Sequence, residues 1–329
     1  AADFSAPAFA ETTVYGIVDA AITNTSKTGF KSRMDVISGG LSTSRFGVKV
    51  TEGLDNGMTA VGVLEYALDV ANKTALGSTS TGAVNARQQM VALAGDFGTV
   101  AAGFLQTTGY DFSGKFNPFA GSAVDPYSAA NPTAFITTGS RAAHAAAYIS
   151  PNMGGVTVAF NHAFNAGNEG LTADGSTTAN PTTANLFSVT FDQGPLSVGG
   201  VYAGTADDDA GYAKVTEMGL GASYDFGMAK VNATYLSTKA DATGVAGNTD
   251  SMIGFSVVAP VGPGAVVFGY DKNTKDSTAA ADNTSAFTVA YLQNLSKSVT
   301  AYGALEKAST GSGTTVDTTV LAVGLRKKF

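Results

Sequence analysis

The chain contains no cysteine and no tryptophan, and only 14% of its 329 residues are charged. Without cysteine there is no disulfide scaffold, no thiolate zinc site and no cysteine nucleophile. The shortage of charge excludes more. Soluble domains carry about 25% Asp, Glu, Lys and Arg, whereas here Gly, Ser, Thr, Ala and Asn fill that share, a poor coat for a water-facing globule. The balance of 19 Lys and Arg against 26 Asp and Glu gives −7 and a pI near 4.8, which speaks against a broad basic surface and a nucleic-acid partner. No stretch approaches the ~18 consecutive apolar residues of a spanning helix. The longest apolar runs, such as Met90 to Gly95 and Phe255 to Gly262, have only the length of a strand. Residues 1–10 lack a basic flank and a long apolar core, but Ala8-Phe9-Ala10 has the small-x-small form of a cleavage site. They are read as an N-terminal extension or processing remnant.

What is present is alternation with period two. Phe46, Val48 and Val50 oppose Arg45, Gly47, Lys49 and Thr51; Met218, Leu220, Ala222, Tyr224 and Phe226 oppose Glu217, Gly219, Gly221, Ser223 and Asp225. Near the C-terminus Leu321, Val323 and Leu325 alternate with Gly324, Arg326 and Lys328. Such a pattern describes strands with one apolar and one polar side. Helical spacing is at most a minor component.

Two kinds of connection separate these runs and alternate along the chain. The short kind includes Asp55-Asn56-Gly57, Asp96-Phe97-Gly98, Gln193-Gly194-Pro195, Asp225-Phe226-Gly227 and Gly262-Pro263-Gly264, all tight-hairpin chemistry. The long kind is rich in Gly, Ser, Thr, Asn and Asp and falls near 24–40, 70–83, 106–140, 164–182, 205–213, 239–249, 272–283 and 308–314. A meander with tight turns at one end and loose loops at the other, counted at about sixteen strands, is an up-and-down sheet with two unlike ends. Left open, it would expose two edges and an uncovered apolar face. Closure into a cylinder removes the edges, and lipid covers the outside. The expected fold is therefore all-β: a transmembrane antiparallel barrel occupying residues 11–329 as one domain.

Several segments resemble the Gram-negative general porin family, specifically its β-proteobacterial, anion-selective branch. They are Thr13-Val14-Tyr15-Gly16-Ile17-Val18-Asp19, then Ser42-Thr43-Ser44-Arg45-Phe46-Gly47-Val48-Lys49, Leu93-Ala94-Gly95-Asp96-Phe97-Gly98, Tyr148-Ile149-Ser150-Pro151-Asn152 and the terminal Phe329. The resemblance implies a sixteen-stranded homotrimeric barrel in the outer membrane of a Gram-negative bacterium, among outer-membrane lipid or lipopolysaccharide. It also implies a long third loop folded inward to narrow the pore. Thr107 to Ser140 fits that loop, and its aromatic and proline residues, Tyr110, Phe112, Phe116, Pro118, Phe119, Pro126, Tyr127, Pro132 and Phe135, suit packing on an inner wall, with room for a short helix.

Arginine is scarce: Arg33, Arg45, Arg87, Arg141 and Arg326 are all there are. The resemblance places Arg45, Arg87 and Arg141 in an inward cluster at the constriction, in the path of permeating ions. Alternation independently sets Arg45 on the polar face with Lys49, a further lining residue. Parity is silent at Arg87, which precedes Gln88 and Gln89, and at Arg141, beside a loop end. Guanidiniums crowded in a narrow aqueous passage stay charged and focus a positive potential. Asp111 and Asp125 are the expected opposing loop acids. The reading is a passive diffusion channel for small hydrophilic solutes and ions, biased toward anions, with no catalytic role, no cofactor and no metal. A substrate-specific channel for sugars or organic acids and a non-conducting structural or adhesive β-protein are the alternatives. Asp96-Phe97-Gly98 copies a kinase triplet without its companion motifs. Gly219-x-Gly221 sits inside a strand rather than before a helix, and Asp207-Asp208-Asp209 reads as a solvated tip.

Overall fold

The computed structural model describes residues 10–72, 76, 85–130, 141–164, 183–206, 214–241, 249–276, 283–311 and 316–329. Residues 1–9 and Asp207-Asp208-Asp209 therefore lie outside the described residues, as do Pro132 and Phe135. The chain begins with β1 (Glu11–Lys27), β2 (Arg33–Ser38), β3 (Arg45–Gly53), β4 (Thr59–Ala67), β5 (Ala86–Gly95) and β6 (Gly98–Gln106). Two helices follow, α1 (Thr108–Phe116) and α2 (Pro126–Ala130). Strands resume with β7 (Arg141–Ile149), β8 (Val156–Ala163), β9 (Thr183–Gln193), β10 (Leu196–Ala206), β11 (Lys214–Asp225) and β12 (Lys230–Asp241). The last are β13 (Thr249–Val261), β14 (Gly264–Thr274), β15 (Thr284–Asn294), β16 (Val299–Thr310) and β17 (Val316–Lys328).

Neighbouring strands pair antiparallel, and the ladder closes where β17 meets β1, with Ile17 opposite Lys328 and Lys27 opposite Thr318. Phe329 completes the seam: its backbone exchanges hydrogen bonds of 3.0 and 3.1 Å with Gly16, and its ring covers the place a Cβ at Gly16 would take. The seventeen strands fill sixteen positions, because β2 and β3 share one. β2 pairs with Ala20 to Thr25 of β1, and β3 pairs with Glu11 to Ile17 of the same strand. This corrects the expected loop at 24–40. Asn24, Thr25 and Ser26 look like loop residues by composition, yet each has a partner in β2 or β17 or both. Polar side chains there are compatible with strand because one face of the cylinder is wet. Within that stretch residues 28–32 turn and residues 39 and 40 leave the sheet after β2.

Burial is reversed relative to a soluble domain. Leu220 (64% exposed) and Val323 (62%) lie open, while Asp19 and Thr288 (both 0%) are covered. Soluble proteins hide the first kind and expose the second. The reversed order is that of a barrel with hydrocarbon outside and a polar interior, and closure leaves no strand edge to be satisfied in lipid. Aromatic residues collect at the end with the short turns: Tyr148 donates to the Phe97 carbonyl at 2.8 Å, and the Tyr224 and Phe226 rings lie 4.6 Å apart. Amphipathic rings at that level suit the boundary between lipid and water.

Candidate functional site: the constriction of the lumen

After β6 the chain turns into the cylinder. Thr107 caps α1, its hydroxyl accepting from the Tyr110 N–H at 3.1 Å. The Thr108 N–H donates to Asn161 on the inner side of β8 at 2.7 Å, and its hydroxyl meets that of Ser188 on β9. From there α1 lies along β8 to β12 and α2 along β14 to β16. The sequence provides sockets for the loop's aromatic rings. Gly199 and Gly221 leave room for Phe116, and Gly269 leaves room for Phe119; a Cβ at Gly221 would stand 2.4 Å from the Phe116 ring. Phe112 packs edge-on to Phe116 at 5.1 Å and joins Tyr127, Val201, Leu236 and Met252 in one apolar cluster. Gly219-x-Gly221 is thus part of a docking surface for the loop. Lys115 fixes the far end of α1 to Asp192 at 2.6 Å, and Thr288 donates to the Val124 carbonyl at 2.8 Å.

The two helices line the wall from β8 to β16, and the arginines stand on the wall the helices do not line, Arg87 itself being buried. Arg45 on β3, Arg87 on β5 and Arg141 on β7 come together there. Arg87 Nε lies 2.6 Å from the Glu65 carboxylate of β4, and Arg45 lies 3.9 Å from the same oxygen. Arg141 Nε donates to the Arg87 carbonyl at 2.9 Å, and its guanidinium stands 4.9 Å from the centre of the Tyr110 ring, in cation–π reach. Three cations around the Glu65 carboxylate leave two positive charges in surplus, offset in part by Asp111, which Gln106 links to Arg141.

A bulge brings Arg87 into this cluster. Between β4 and β5, Glu65 faces Gln88 but Tyr66 faces Ala86, so Arg87 is an extra, unpaired residue. On a regular strand Arg87 would share the outer face of Gln89 and Val91. The bulge turns it inward instead. Between β6 and β7 the register slips again, next to His144, whose φ of 47° stands alone among the described non-glycine residues. Beyond that slip Arg141 stands opposite Gln106. Neither bulge is visible in the alternation.

Of the expected loop acids, Asp111 sits in the first turn of α1 and accepts from the Gln106 amide, whose oxygen in turn accepts from Arg141 at 3.2 Å. Asp125 is placed differently. It is 4% exposed and accepts from Asn117, the Tyr127 N–H and Ser128, capping α2 within the loop. Burial pushes its carboxyl up to about 6. Lys49 is on the inner face near the short-turn end of β3, beyond the Tyr15 ring that covers Gly47. Glu65, Tyr15 and Gln106 belong to the site without having been singled out from the sequence, and Tyr110, expected only to pack on the wall, belongs to it too. Glu65 had a signal: a lone acid at 3% exposure in the otherwise apolar Val61 to Tyr66 run.

The barrel and its infolded loop define a channel protein of the outer membrane. The profile of the Gram-negative porin family matches residues 1–313, and the chain belongs to that family. It is 32% identical over 330 residues to outer membrane porin protein 32 of Delftia acidovorans, covering 93% of this chain and 86% of that protein. An outer membrane porin protein of Bordetella pertussis is 26% identical over 380 residues, covering 100% of this chain and 97% of the other. Among solved structures, the anion-selective porin from Comamonas acidovorans superposes with a TM-score of 0.81 at 26% identity, covering 98% of this chain and 100% of that one. The protein is an outer-membrane porin.

Proposed function

We propose that this porin is a passive diffusion channel for small hydrophilic solutes that favours anions, and that Arg45, Arg87 and Arg141 set the preference. The observation that carries this reading is the convergence of three guanidiniums, only partly neutralised by Glu65, opposite an inward loop. Low-dielectric walls focus such a field, and permeating ions sample the lining rather than the whole chain's −7. Asp111, joined to Arg141 through Gln106, is the loop acid nearest the arginines and offsets part of their charge. Lys49 adds a weaker attraction toward the short-turn end. Asp125 serves the fold of the loop rather than the field. The similar protein from Comamonas acidovorans bears the description anion-selective, which agrees with this reading. Residues 11–329 act as one barrel domain, assembled as a homotrimer in outer-membrane lipid, as is typical of the family.

The alanines of β5 and β6 do not form one outward face for contact between barrels. Ala92 pairs with Ala101, and Ala101 packs into the cluster of Leu105 and Ala145 on the inner side, leaving Val91 and Ala102 outward. Contact between barrels has to use the outward set.

Planar-bilayer recordings under a KCl gradient test the function. An anion-preferring pore gives a zero-current potential of the sign of the chloride equilibrium potential. A potential of the opposite sign removes the arginine mechanism, and current that one sugar or organic acid blocks with saturation favours a substrate-specific channel.

A further inference from the structure

Residues 39–44, between β2 and β3, belong to neither strand yet are held firmly. Asp19, fully buried on the inner side of β1, accepts from the backbone N–H of Leu41 at 3.1 Å, from that of Ser42 at 2.8 Å and from the Tyr302 hydroxyl of β16. Ser44 closes on the Asp19 main chain, accepting from its N–H and donating to its carbonyl, each at 2.9 Å. From β17, Arg326 donates to the Ser42 hydroxyl at 2.9 Å. The opposite side of this segment holds the tip of the inward loop. The Gly40 carbonyl accepts from the Ala123 N–H at 3.1 Å, and the Thr43 hydroxyl donates to the Gly121 carbonyl at 3.4 Å. Arg45 Nε is tied to the same piece of chain, donating to the Thr43 carbonyl at 3.1 Å.

We infer that residues 39–44, clamped by Asp19, are a fixed seat for the tip of the constriction loop, which makes Asp19 a positioning residue for the pore opening and for Arg45. A carboxylate suits the task because three donors converge on it, and charged acceptors make the stronger hydrogen bonds. An amide in its place keeps one oxygen for the two backbone N–H groups but carries no charge, and its N–H₂ meets the Tyr302 hydroxyl as a donor. The aromatic sockets hold the loop to the wall from β8 to β16. The seat continues that attachment past β16, where β16, β17 and β1 meet, so the tip of the loop is held on both of its flanks. A cavity of about 720 Å³ adjoins the seat, bordered by Ser38, Thr43, Ser44, Ala67 and Ser122, and gives a released tip room to move. The inference rests on reading the loop as the constriction, but not on the arginines setting selectivity.

The test is single-channel recording of the intact porin and of Asp19→Asn and Tyr302→Phe, with the heat-dependent mobility of the folded barrel as the check on assembly. Brief closures about tenfold more frequent are expected for Asp19→Asn, the scale of losing one charged hydrogen bond. A smaller rise is expected for Tyr302→Phe, which keeps the carboxylate and removes one of its donors. In the Asp19→Asn background, Thr43→Cys and Ser122→Cys joined by a short bifunctional thiol reagent restore steady current, since the chain has no other cysteine. Wild-type steadiness in folded Asp19→Asn, or closures that persist after bridging, overturns the inference. If Asp19→Asn does not assemble, Tyr302→Phe decides: unchanged steadiness overturns the seat and added closures support it. A wild-type protein that never conducts contradicts the channel reading instead.

Discussion

Replacing Gly221 by leucine tests the docking of the constriction loop most severely. The ladder has no objection to a side chain there: Gly221 pairs with Gly199 and Thr234 on regular β11. The obstacle is the loop. A Cβ would lie 2.4 Å from one Phe116 ring carbon and 2.7 Å from two more, against the ~3.5–4.0 Å of ordinary carbon contacts. The ring has to retreat by more than ~1 Å. It has nowhere to go, because Phe116 is 2% exposed and wedged against Phe112. The helix therefore lifts from the wall. If both rings lose their burial, docking weakens by about 3–6 kcal/mol, taking ~1.5–3 kcal/mol for each. Single-channel conductance then rises and becomes noisy while the barrel stays folded. Phe116→Ala alone weakens docking by about 3–5 kcal/mol, but with Gly221→Leu and Phe116→Ala combined the leucine refills part of the space, so the two effects are not additive. Wild-type conductance and noise in a folded Gly221→Leu barrel refute this account of the loop.

Glu65→Gln removes the only carboxylate salt-bridged to Arg45 and Arg87 among the described residues. A unit charge ~8 Å from a permeating ion, at an effective dielectric of ~40, changes its energy by about 1 kcal/mol, in opposite directions for chloride and potassium, so the chloride preference read from the zero-current potential rises about thirtyfold. Asp125 has a docked-state pKa of about 6 against 3.8 when free, so the docked loop holds the proton more tightly. Docking is then strongest below about pH 4 and weakens as pH rises through 6; current noise follows that course in the wild type and flattens in Asp125→Asn. On the outer face, Leu220→Arg puts a cation into hydrocarbon at a cost of about 2–4 kcal/mol near the bilayer midplane, which urea titration in lipid vesicles reads as lost stability.

The barrel was legible because two signals reinforce each other: alternation places side chains on faces, and the two classes of turn place the ends. Arg45 could be assigned to the inner face on that basis. Arg87 could not, since a one-residue bulge reverses every assignment beyond it and leaves no mark in composition. The stretch 24–40 reads as loop for a related reason. In a water-lined cylinder the inner face of a strand has loop-like residues, so Asn24 to Ser26 look irregular while pairing regularly. Asp125 shows a third limit. A loop's composition reveals that an acid is present, but only the fold decides whether it faces the passage or caps a buried helix. The glycines at 199, 221 and 269 became meaningful only once the rings above them were known.

The central claim is that the guanidiniums on the wall the helices do not line select the ion. It is tested most directly by zero-current potentials of Arg45→Gln, Arg141→Gln and the triple variant including Arg87→Gln, compared with Lys49→Gln under the same KCl gradient. The account predicts a stepwise loss of chloride preference with each arginine removed, abolition in the triple variant, and a small change for Lys49→Gln. A triple variant that keeps the wild-type potential contradicts it.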